Sequence, residues 1–182
     1  MEEKIQTLAT LKTHSFSVNL DEVRLKGGEI GKRVKIDHPE AAAIVPFVSE
    51  EEILMVRQFR YALGKETYEI PAGKFDPGET SEECVRRELL EETGYEAGEV
   101  HLICTYAPAI SYSNELIHVF RGRDLKKTGS KTDDREIESV EIVSFSRLDQ
   151  MIREGVILDG KTLLGLSMLK WHGVSHKFSL RS

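Results

Sequence analysis

Three glutamates in the middle of the chain stand at helical spacing, within the stretch AGKFDPGETSEECVRRELLEETGYE. Glu88 and Glu92 are one turn apart, and Glu91 is three residues from Glu88, so a helix would place all three carboxylates on one face. Like charges at this spacing repel by roughly 0.2–0.5 kcal/mol per pair. Hard divalent cations such as magnesium take carboxylate oxygens as ligands, and a bound cation would turn this repulsion into coordination. A solvated charged surface is the alternative interpretation.

The elements that must position these carboxylates are a loop and the helix that follows it. The loop PAGKFDPGE contains glycines, so its backbone can approach a ligand closely. Thr80 and Glu83 have the spacing of a capping box, and Gly94 suits the position just after a helix, which predicts a helix between them. Arg87 precedes Glu91 by four residues and could hold it as an ion pair.

Apolar and alternating runs on both sides of this helix predict strands. FSVNLDEVRL and KRVKI flank a glycine turn, AAAIVPFV and ILMVRQF predict a hairpin, and TYEI, LICTYA, LIHVFRG and VEIVSF predict further strands. The stretch RDLKKTGSKTDDR is interpreted as a polar loop, and Ser146 and Asp159 as the N-caps of two closing helices. Strands dominate without a regular β-α alternation, so we expect an α+β fold in which helices pack on a mixed sheet.

Composition and charge limit the classes of partner. A length of 182 residues predicts one domain with room for a small appendage, and the net charge of −6 argues against nucleic acid as the main partner. A phosphate substrate stays open, because metal ions can reverse the local sign of charge. Cys84 and Cys104 make no disulfide framework and are interpreted as buried free thiols. The sequence has neither a secretory signal nor a membrane span of roughly 20 apolar residues, so we expect a cytoplasmic protein without a membrane partner.

The polar residues of the glutamate-rich region resemble the Nudix box, the signature of hydrolases that cleave a nucleoside diphosphate linked to another moiety. The matching positions are Gly73, Glu79, Arg87, Glu88, Leu89, Glu91, Glu92 and Gly94. Tyr95 stands where the family usually has an aliphatic residue. The resemblance implies the Nudix fold, an α/β/α sandwich with a mixed β-sheet and flanking helices, in which the box forms a loop, a helix and a second loop. We expect a small N-terminal β region in addition.

The resemblance also implies roles for the box residues, with Mg²⁺ as the cofactor and Mn²⁺ as a substitute. Glu88 and Glu92 would be metal ligands, with Glu91 close to the metals. The carbonyl of Ala72, directly before the box, would be a further ligand. Arg87 would orient a glutamate of the box, and the catalytic residues of the box would be Arg87, Glu91 and Glu92.

Features outside the box are similar to bacterial ADP-ribose pyrophosphatases over most of residues 16–170. These features are RQFRY before the box, EIPAGK leading into it, Pro108 after it, and IREGVILDGKTLLGLSML near the end. By this resemblance Arg60 would contact the substrate's phosphates or terminal ribose, because a guanidinium fork suits bidentate phosphate contact. Ordinary surface charge is the alternative for Arg57 and Arg60. The predicted substrate-binding residues are Arg57, Arg60, Lys74, Phe16 and Pro108. Phe16 and Tyr112 are both candidates to stack on adenine, with a place in the core or as a loop anchor as the alternative for each.

An acidic stretch late in the chain, TDDREIES, is the predicted source of a catalytic base or of another metal contact. By position in the resembled group, Asp134 and Glu136 correspond best, and Asp133 and Glu138 correspond less well. Glu136 is therefore expected among the metal ligands as well as among the catalytic residues. A solvated acidic loop is the alternative interpretation.

The resemblance predicts Mg²⁺-dependent hydrolysis of the diphosphate bond of ADP-ribose to AMP and ribose 5-phosphate, or hydrolysis of a closely related nucleoside diphosphate sugar. The alternatives are another nucleoside diphosphate derivative, such as a dinucleotide or a dinucleoside polyphosphate, and a non-catalytic domain that senses a nucleotide. We expect a Nudix domain over residues 41–175 and a tail at 176–182. The strands of residues 1–40 would serve a homodimer, which is the common state of the resembled group.

Overall fold

The computed structural model describes residues 1–129 and 137–171. Asp133, Asp134 and Glu136 of the predicted acidic loop, and the tail at 176–182, lie outside these residues. The strands of the described chain are β1 (Glu3–Lys12), β2 (Ser17–Arg24), β3 (Ile30–Asp37), β4 (Ala41–Ser49), β5 (Glu52–Arg60), β6 (Lys65–Glu69), β7 (Ala72–Lys74), β8 (Tyr95–Tyr106), β9 (Ile117–Lys127) and β10 (Ile137–Ser144). Its helices are α1 (Ser81–Thr93), α2 (Phe145–Arg153) and α3 (Gly160–Trp171), with a 3₁₀ turn at Tyr61–Leu63. None of the helices in the described residues is both long and apolar enough to cross a lipid bilayer.

The first of two compact units comprises Met1–Glu40 and Tyr106–Ile117. Its sheet has the order β1-β2-β3 and is antiparallel. The hairpin predicted from FSVNLDEVRL and KRVKI is confirmed as β2 and β3. A polar ladder joins β1 to β2, in which Thr7 donates to Asp21 and Thr10 donates to the side-chain oxygen of Asn19, each at 2.7 Å. These cross-strand bonds attach β1 to the sheet although its side chains are exposed.

The second unit comprises Ala41–Thr105 and the described chain from His118 onwards. Its sheet follows the order β10-β5-β4-β9-β8, with β6 paired to β5 and β7 paired to β4. The pairing of β7 with β4 is antiparallel and places Ala43 opposite Ala72 and Ala42 opposite Gly73. The start of the predicted glycine-containing loop is therefore fixed to a strand of the main sheet.

Helices pack on both faces of this sheet. Successive side chains of a strand point to opposite faces. On β4, Ile44 packs in a buried cluster with Leu89 of α1, whereas Val45 lies against Gly165 of α3. The predicted mixed sheet with flanking helices is confirmed.

β9 is longer than the sequence pattern predicted. β9 continues to Lys127, so the first part of the stretch RDLKKTGSKTDDR is a strand and the prediction of a loop there is wrong. Asp124 has a positive φ of 55°, which interrupts the regular extended backbone. The stretch is also rich in charged residues, so the alternation of apolar and polar residues that indicates a strand is weak there.

One predicted helix cap is confirmed and the other is displaced. Asp159 Oδ2 accepts from the backbone N–H of Thr162 at 3.0 Å, as an N-cap side chain does. The predicted N-cap of α2, Ser146, is wrong by two residues. Ser144 is the N-cap instead, and its hydroxyl accepts from the backbone N–H of Arg147 at 3.3 Å.

Candidate active site

The helix that carries the glutamates, α1, begins at the predicted capping box. Thr80 Oγ1 accepts from the backbone N–H of Glu83 at 3.3 Å, and Glu83 Oε2 accepts from the backbone N–H of Thr80 at 2.9 Å. The helix ends at Gly94, whose φ of 74° is left-handed and whose N–H donates to the carbonyl of Leu90 at 2.8 Å. Both predicted ends of the helix are confirmed.

Arg87 is bonded to three carboxylates of the box. Its Nε and Nη2 donate to the two oxygens of Glu79 at 2.8 and 2.9 Å, which is the bidentate geometry that a guanidinium favours. Its Nη1 donates to Glu88 at 2.7 Å and to Glu91 at 3.2 Å, while Nη2 also donates to the carbonyl of Lys74 at 3.0 Å. The hydrogen bonds from Arg87 lower the pKa of Glu79 to about 2, and the bonds to Glu79 and Glu88 raise the pKa of Arg87. One guanidinium therefore holds three like charges close together.

Glu88 lies so close to Gly73 that a side chain at residue 73 would collide with it. A Cβ added at Gly73 would stand 1.9 Å from Cδ and from Oε1 of Glu88. The Glu88 side chain is only 14% exposed, and burial raises its pKa while the bond from Arg87 opposes that rise. A further cation beside this carboxylate would stabilise its charged form. Gly73 leaves the space that this carboxylate occupies.

Glu92 is bonded to the backbone of the strand that precedes α1. The residue is 5% exposed, and its Oε2 accepts from the backbone N–H of Ala72 at 3.1 Å. Ala72 begins β7, so the pairing of β7 with β4 and the hydrogen bond to Glu92 together fix the Ala72 backbone. The predicted residues that the structure brings together are Ala72, Arg87, Glu88, Glu91 and Glu92.

The two predicted arginines of β5 are both engaged by carboxylates. Arg60 donates from Nε to Oε1 of Glu69 at 2.7 Å and from Nη2 to Oε2 of Glu69 at 2.6 Å. Arg57 Nη1 donates to Glu66 at 2.5 Å, and its Nη2 lies 3.6 Å from Glu138. Sequence reasoning missed these partners. The one signal that could have indicated the partner of Arg60 was the acidic residue Glu69 within the predicted strand TYEI.

Glu69 lies in a buried cluster of charges that sequence reasoning also missed. Its Oε1 accepts from Thr67 Oγ1 at 2.6 Å, and Lys161 Nζ donates to its Oε2. Burial acts to raise the pKa of Glu69, but the hydrogen bonds from Arg60 and the charge of Lys161 outweigh burial and lower it to about 2. Lys161 is itself buried and also lies 3.1 Å from Asp159. Every charge in the cluster therefore has an opposite partner.

The remaining predicted substrate residues are placed as follows. Lys74 is exposed on β7, and its carbonyl is the acceptor for Arg87 described above. Phe16 and Pro108 belong to the first unit, whereas the box belongs to the second. The Phe16 ring lies 5.6 Å from the ring of His38, and Pro108 is exposed in a turn. The predicted base candidates Asp134 and Glu136 lie outside the described residues.

A family model for the NUDIX domain matches residues 37–163, well over half of the chain. The chain belongs to the Nudix family. The membership predicted from the box is confirmed by this match.

Three relatives align with most of this Nudix chain. A methanol dehydrogenase activator from Bacillus methanolicus is 33% identical over 172 residues, which cover 93% of this chain and 92% of the relative. An ADP-ribose pyrophosphatase from Bacillus subtilis strain 168 is 33% identical over 153 residues, which cover 83% of each chain. A GDP-mannose pyrophosphatase from Salmonella arizonae is 39% identical over 149 residues, which cover 76% of this chain and 77% of the relative. The predicted likeness to bacterial ADP-ribose pyrophosphatases, and the predicted class of Nudix hydrolase, are confirmed.

A solved structure shows the same fold. The crystal structure of an ADP compounds hydrolase matches with a TM-score of 0.80 at 20% sequence identity, and the match covers 95% of this chain and 98% of that one. At this level of identity the likeness concerns the fold alone. The predicted Nudix fold is confirmed.

The residues of this Nudix box fit a divalent metal ion, which Nudix hydrolases generally use. The donors that the box collects are carboxylates, and burial raises the pKa of Glu88 although Arg87 is bonded to it. Within residues 1–129 and 137–171, no three Asp, Glu, His or Cys side chains already form a metal-binding group. Arg87 engages Glu88 and Glu91, and the Ala72 N–H engages Glu92. The box therefore supplies donors of the right chemistry, held in place by other protein groups.

Proposed function

We propose that this chain hydrolyses the diphosphate bond of a nucleoside diphosphate sugar, with ADP-ribose as the substrate and AMP and ribose 5-phosphate as the products. The observation that carries the proposal is the geometry of the box. Arg87 gathers Glu88 and Glu91, while Glu92 meets the backbone of Ala72. The names of the Bacillus subtilis and Salmonella arizonae relatives, both pyrophosphatases of nucleoside diphosphate sugars, support the substrate class.

The proposed cofactor is Mg²⁺, with Mn²⁺ as a substitute. Glu88 and Glu92 would hold it, together with the carbonyl of Ala72 and with Glu136. Such an ion neutralises charge on a diphosphate and lowers the pKa of water. Arg87 would orient Glu88 through the 2.7 Å hydrogen bond, so that one ligand is held in place before substrate binds.

The proposed reaction is attack of a water oxygen on one phosphorus, with cleavage of the bond from that phosphorus to the bridging oxygen. A carboxylate must accept the proton of the water. Glu91 is the first candidate, because its side chain is 41% exposed and Arg87 holds it at 3.2 Å. Asp134 and Glu136 are the other candidates. Arg87 would thus orient the base as well as a metal ligand.

The proposed substrate contacts are the residues that the resemblance predicts. Arg60 uses Nε and Nη2 for Glu69, so contact with a phosphate would use the N–H groups of Nη1. The exposed ammonium of Lys74 would be a second phosphate contact, and Phe16 would stack on adenine. The full proposed set is Arg57, Arg60, Lys74, Phe16 and Pro108.

Two of the relatives favour second candidates. The Salmonella relative is named a GDP-mannose pyrophosphatase, which favours a guanosine diphosphate sugar as the alternative substrate. The Bacillus methanolicus relative is named a methanol dehydrogenase activator, which favours an alternative in which the domain acts on a partner enzyme. In the extreme form of this alternative, the domain senses a nucleotide without hydrolysing it.

We also propose a homodimer that uses residues 1–40 as its dimerisation region, beside a Nudix domain at 41–175. The register of the first unit puts Leu11 opposite Val18 and Leu20 opposite Val34 on one face of the sheet. Leu11 and Val34 are 66% and 50% exposed. An exposed apolar face of this kind supports association with a second copy. Sedimentation velocity at micromolar concentration tests it, and a monomer would contradict it.

The proposed location is the cytoplasm. Cys84 and Cys104 are both free, as thiols are in a reducing compartment. Cys84 is buried, as predicted, whereas Cys104 is partly exposed, so the prediction that both are buried is wrong for Cys104.

A substrate panel tests the proposed function. The purified protein is incubated with ADP-ribose, GDP-mannose, NAD and a diadenosine polyphosphate, each with Mg²⁺ and with EDTA, and the products are separated by chromatography. We expect AMP from ADP-ribose only with the metal.

Glu92→Gln should lower kcat by about 100-fold or more, because it removes a proposed ligand. Glu96→Gln, at an exposed position in β8 four residues after Glu92, is the matched control. A Glu92→Gln variant that kept the wild-type rate would contradict the assignment.

A further inference from the structure

The segment of residues 69–73, which enters the box, is anchored at each of its five residues. Its first two residues are bound by α3, where Lys161 Nζ donates to Glu69 and the N–H of Ile70 donates to Thr162 Oγ1 at 3.0 Å. The carbonyl of Pro71 accepts from the N–H of Ile44 at 3.0 Å. The last two residues meet α1, Ala72 through its hydrogen bond to Glu92 and Gly73 through its carbonyl, which accepts from Cys84 Sγ at 3.6 Å. The proposed carbonyl ligand therefore lies on a segment that α3 holds from one end and α1 from the other.

The hydroxyl of Thr162 has a fixed direction. Thr162 Oγ1 lies 2.5 Å from Asp159 Oδ2, and a carboxylate can only accept, so the hydroxyl donates to Asp159. Its lone pairs are then available to the N–H of Ile70, which donates to it. Thr162 is completely buried, so water cannot replace this acceptor. Removing the hydroxyl would leave the Ile70 N–H buried without a partner.

Lys161 adds a second link from the same turn of α3 to the same segment. Its ammonium is buried and lies between Glu69 and Asp159. Buried ion pairs are commonly no more stabilising than apolar side chains of similar size, but they allow only one arrangement of their partners. Charge pairing here therefore restricts the position of the segment more than it strengthens the core.

We propose that Asp159, Lys161 and Thr162 are positioning residues for the box. They form a clamp that fixes the segment of residues 69–73. This segment includes the backbone of Ala72, which lies beside Glu92. The proposal rests on the proposed function, since it assigns the clamp to the cation site of the box. None of the three residues touches the cation or the substrate in this scheme. Their effect passes through the backbone of residues 70–72.

The test compares two substitutions of one hydroxyl. Thr162→Val keeps the shape of the side chain but removes the hydroxyl, and Thr162→Ser keeps the hydroxyl. Binding of Mn²⁺ to the full-length protein without substrate is followed by electron paramagnetic resonance, and kcat and KM for ADP-ribose are measured separately. We expect Thr162→Val to weaken Mn²⁺ binding about tenfold or more and to lower kcat, as loss of outer contacts does at metal sites. Thr162→Ser should stay within about threefold of the wild type.

A destabilised control separates positioning from general stability. Leu148 of α2 is fully buried, so Leu148→Ala opens a cavity in the core. None of the hydrogen bonds that anchor residues 69–73 comes from α2. This variant should unfold at lower urea concentration yet bind Mn²⁺ as the wild type does. The proposal is overturned if folded Thr162→Val binds Mn²⁺ normally, or if Leu148→Ala loses binding equally. Lys161→Met replaces Thr162→Val in the same comparison should the latter fail to fold.

Failure of the underlying function gives a different result. If the wild type itself binds no Mn²⁺ and does not hydrolyse any nucleotide of the panel, the cation site is wrong and the clamp proposal falls with it. If the wild type binds and hydrolyses while Thr162→Val does so equally, only the clamp is wrong.

Discussion

Arg60 and Glu69 are joined by two parallel hydrogen bonds, from Nε to Oε1 at 2.7 Å and from Nη2 to Oε2 at 2.6 Å. Glu69 is 2% exposed, and Lys161 contacts the same carboxylate. Breaking a buried pair leaves a charge without compensation, whereas an exposed pair contributes little. Removing this one carboxylate should therefore destabilise the fold, although the intact cluster need not be more stabilising than apolar side chains of similar size.

Glu69→Gln is expected to lower the free energy of unfolding by about 3 kcal/mol, because Arg60 and Lys161 lose their shared counter-charge. Urea titration followed by circular dichroism measures the change. Glu66→Gln is the matched control on the same strand, since the exposed pair of Glu66 with Arg57 should contribute little to stability. Equal losses in the two variants would contradict the importance given to the buried pair.

Acid should weaken the fold through the same carboxylate. Burial raises the pKa of Glu69, but Arg60 and Lys161 outweigh burial, so its folded-state pKa is about 2 against an ordinary value of 4.5. The resulting stabilisation is complete above pH 4.5 and is lost as the pH falls towards 2. By pH 3 the free energy of unfolding of the wild type should have fallen by about 2 kcal/mol through Glu69. This contribution should be absent from Glu69→Gln. Urea titrations at neutral and acid pH measure it, and identical acid slopes for the two proteins would assign the effect to other groups.

Gly73→Ala should damage the box and spare the fold. The added methyl group would displace the carboxylate of Glu88, which is the flexible end of a side chain, so we expect a change of about 1 kcal/mol or less in stability. Mn²⁺ binding and kcat should both fall about tenfold or more. Gly27→Ala is the control, because a Cβ there meets nothing within 4 Å. Normal Mn²⁺ binding by Gly73→Ala would show that Glu88 has no part in the site.

Arg87→Lys should lower kcat by about 100-fold, because an ammonium cannot keep the bidentate bond to Glu79 together with the bonds to Glu88 and Glu91. The neighbouring Arg86 offers a control of the same chemistry. Arg86 pairs with Glu82 and with a backbone carbonyl, so Arg86→Lys should keep kcat. Initial rates with saturating Mg²⁺ and ADP-ribose measure both variants. Similar losses in the two would point to a general effect on the helix.

Local signals predicted both ends of α1 and the start of α3, because a cap acts over three or four residues of chain. One such cap joins Thr80 to Glu83, and another joins Asp159 to Thr162. The same short range explains the error at α2. Ser144 and Ser146 offer the same hydroxyl, and only the point at which β10 ends decides which of them caps the helix.

Long-range pairings were not predictable from the sequence patterns. Glu69 meets Arg60 across the paired strands β5 and β6, although the register places Arg60 opposite Lys65. It meets Lys161 across 92 residues of chain, and neither contact leaves a periodic pattern in the sequence. β1 was missed for a different reason. All of its side chains are exposed, so it lacks the apolar alternation by which a half-buried strand is recognised.

The bond between Ile70 and Thr162 spans 92 residues, whereas the box that it supports is nearly continuous in the chain. At 5–20 residues per second, synthesis takes roughly 5 to 18 seconds to pass from the first partner to the second. A ribosome-bound chain can therefore expose all the glutamates of α1 before the residue that steadies the Ala72 backbone has been made. On the clamp proposal, hydrolysis begins only after α3 has been synthesised and has docked, so catalytic competence is acquired later than the box itself is made.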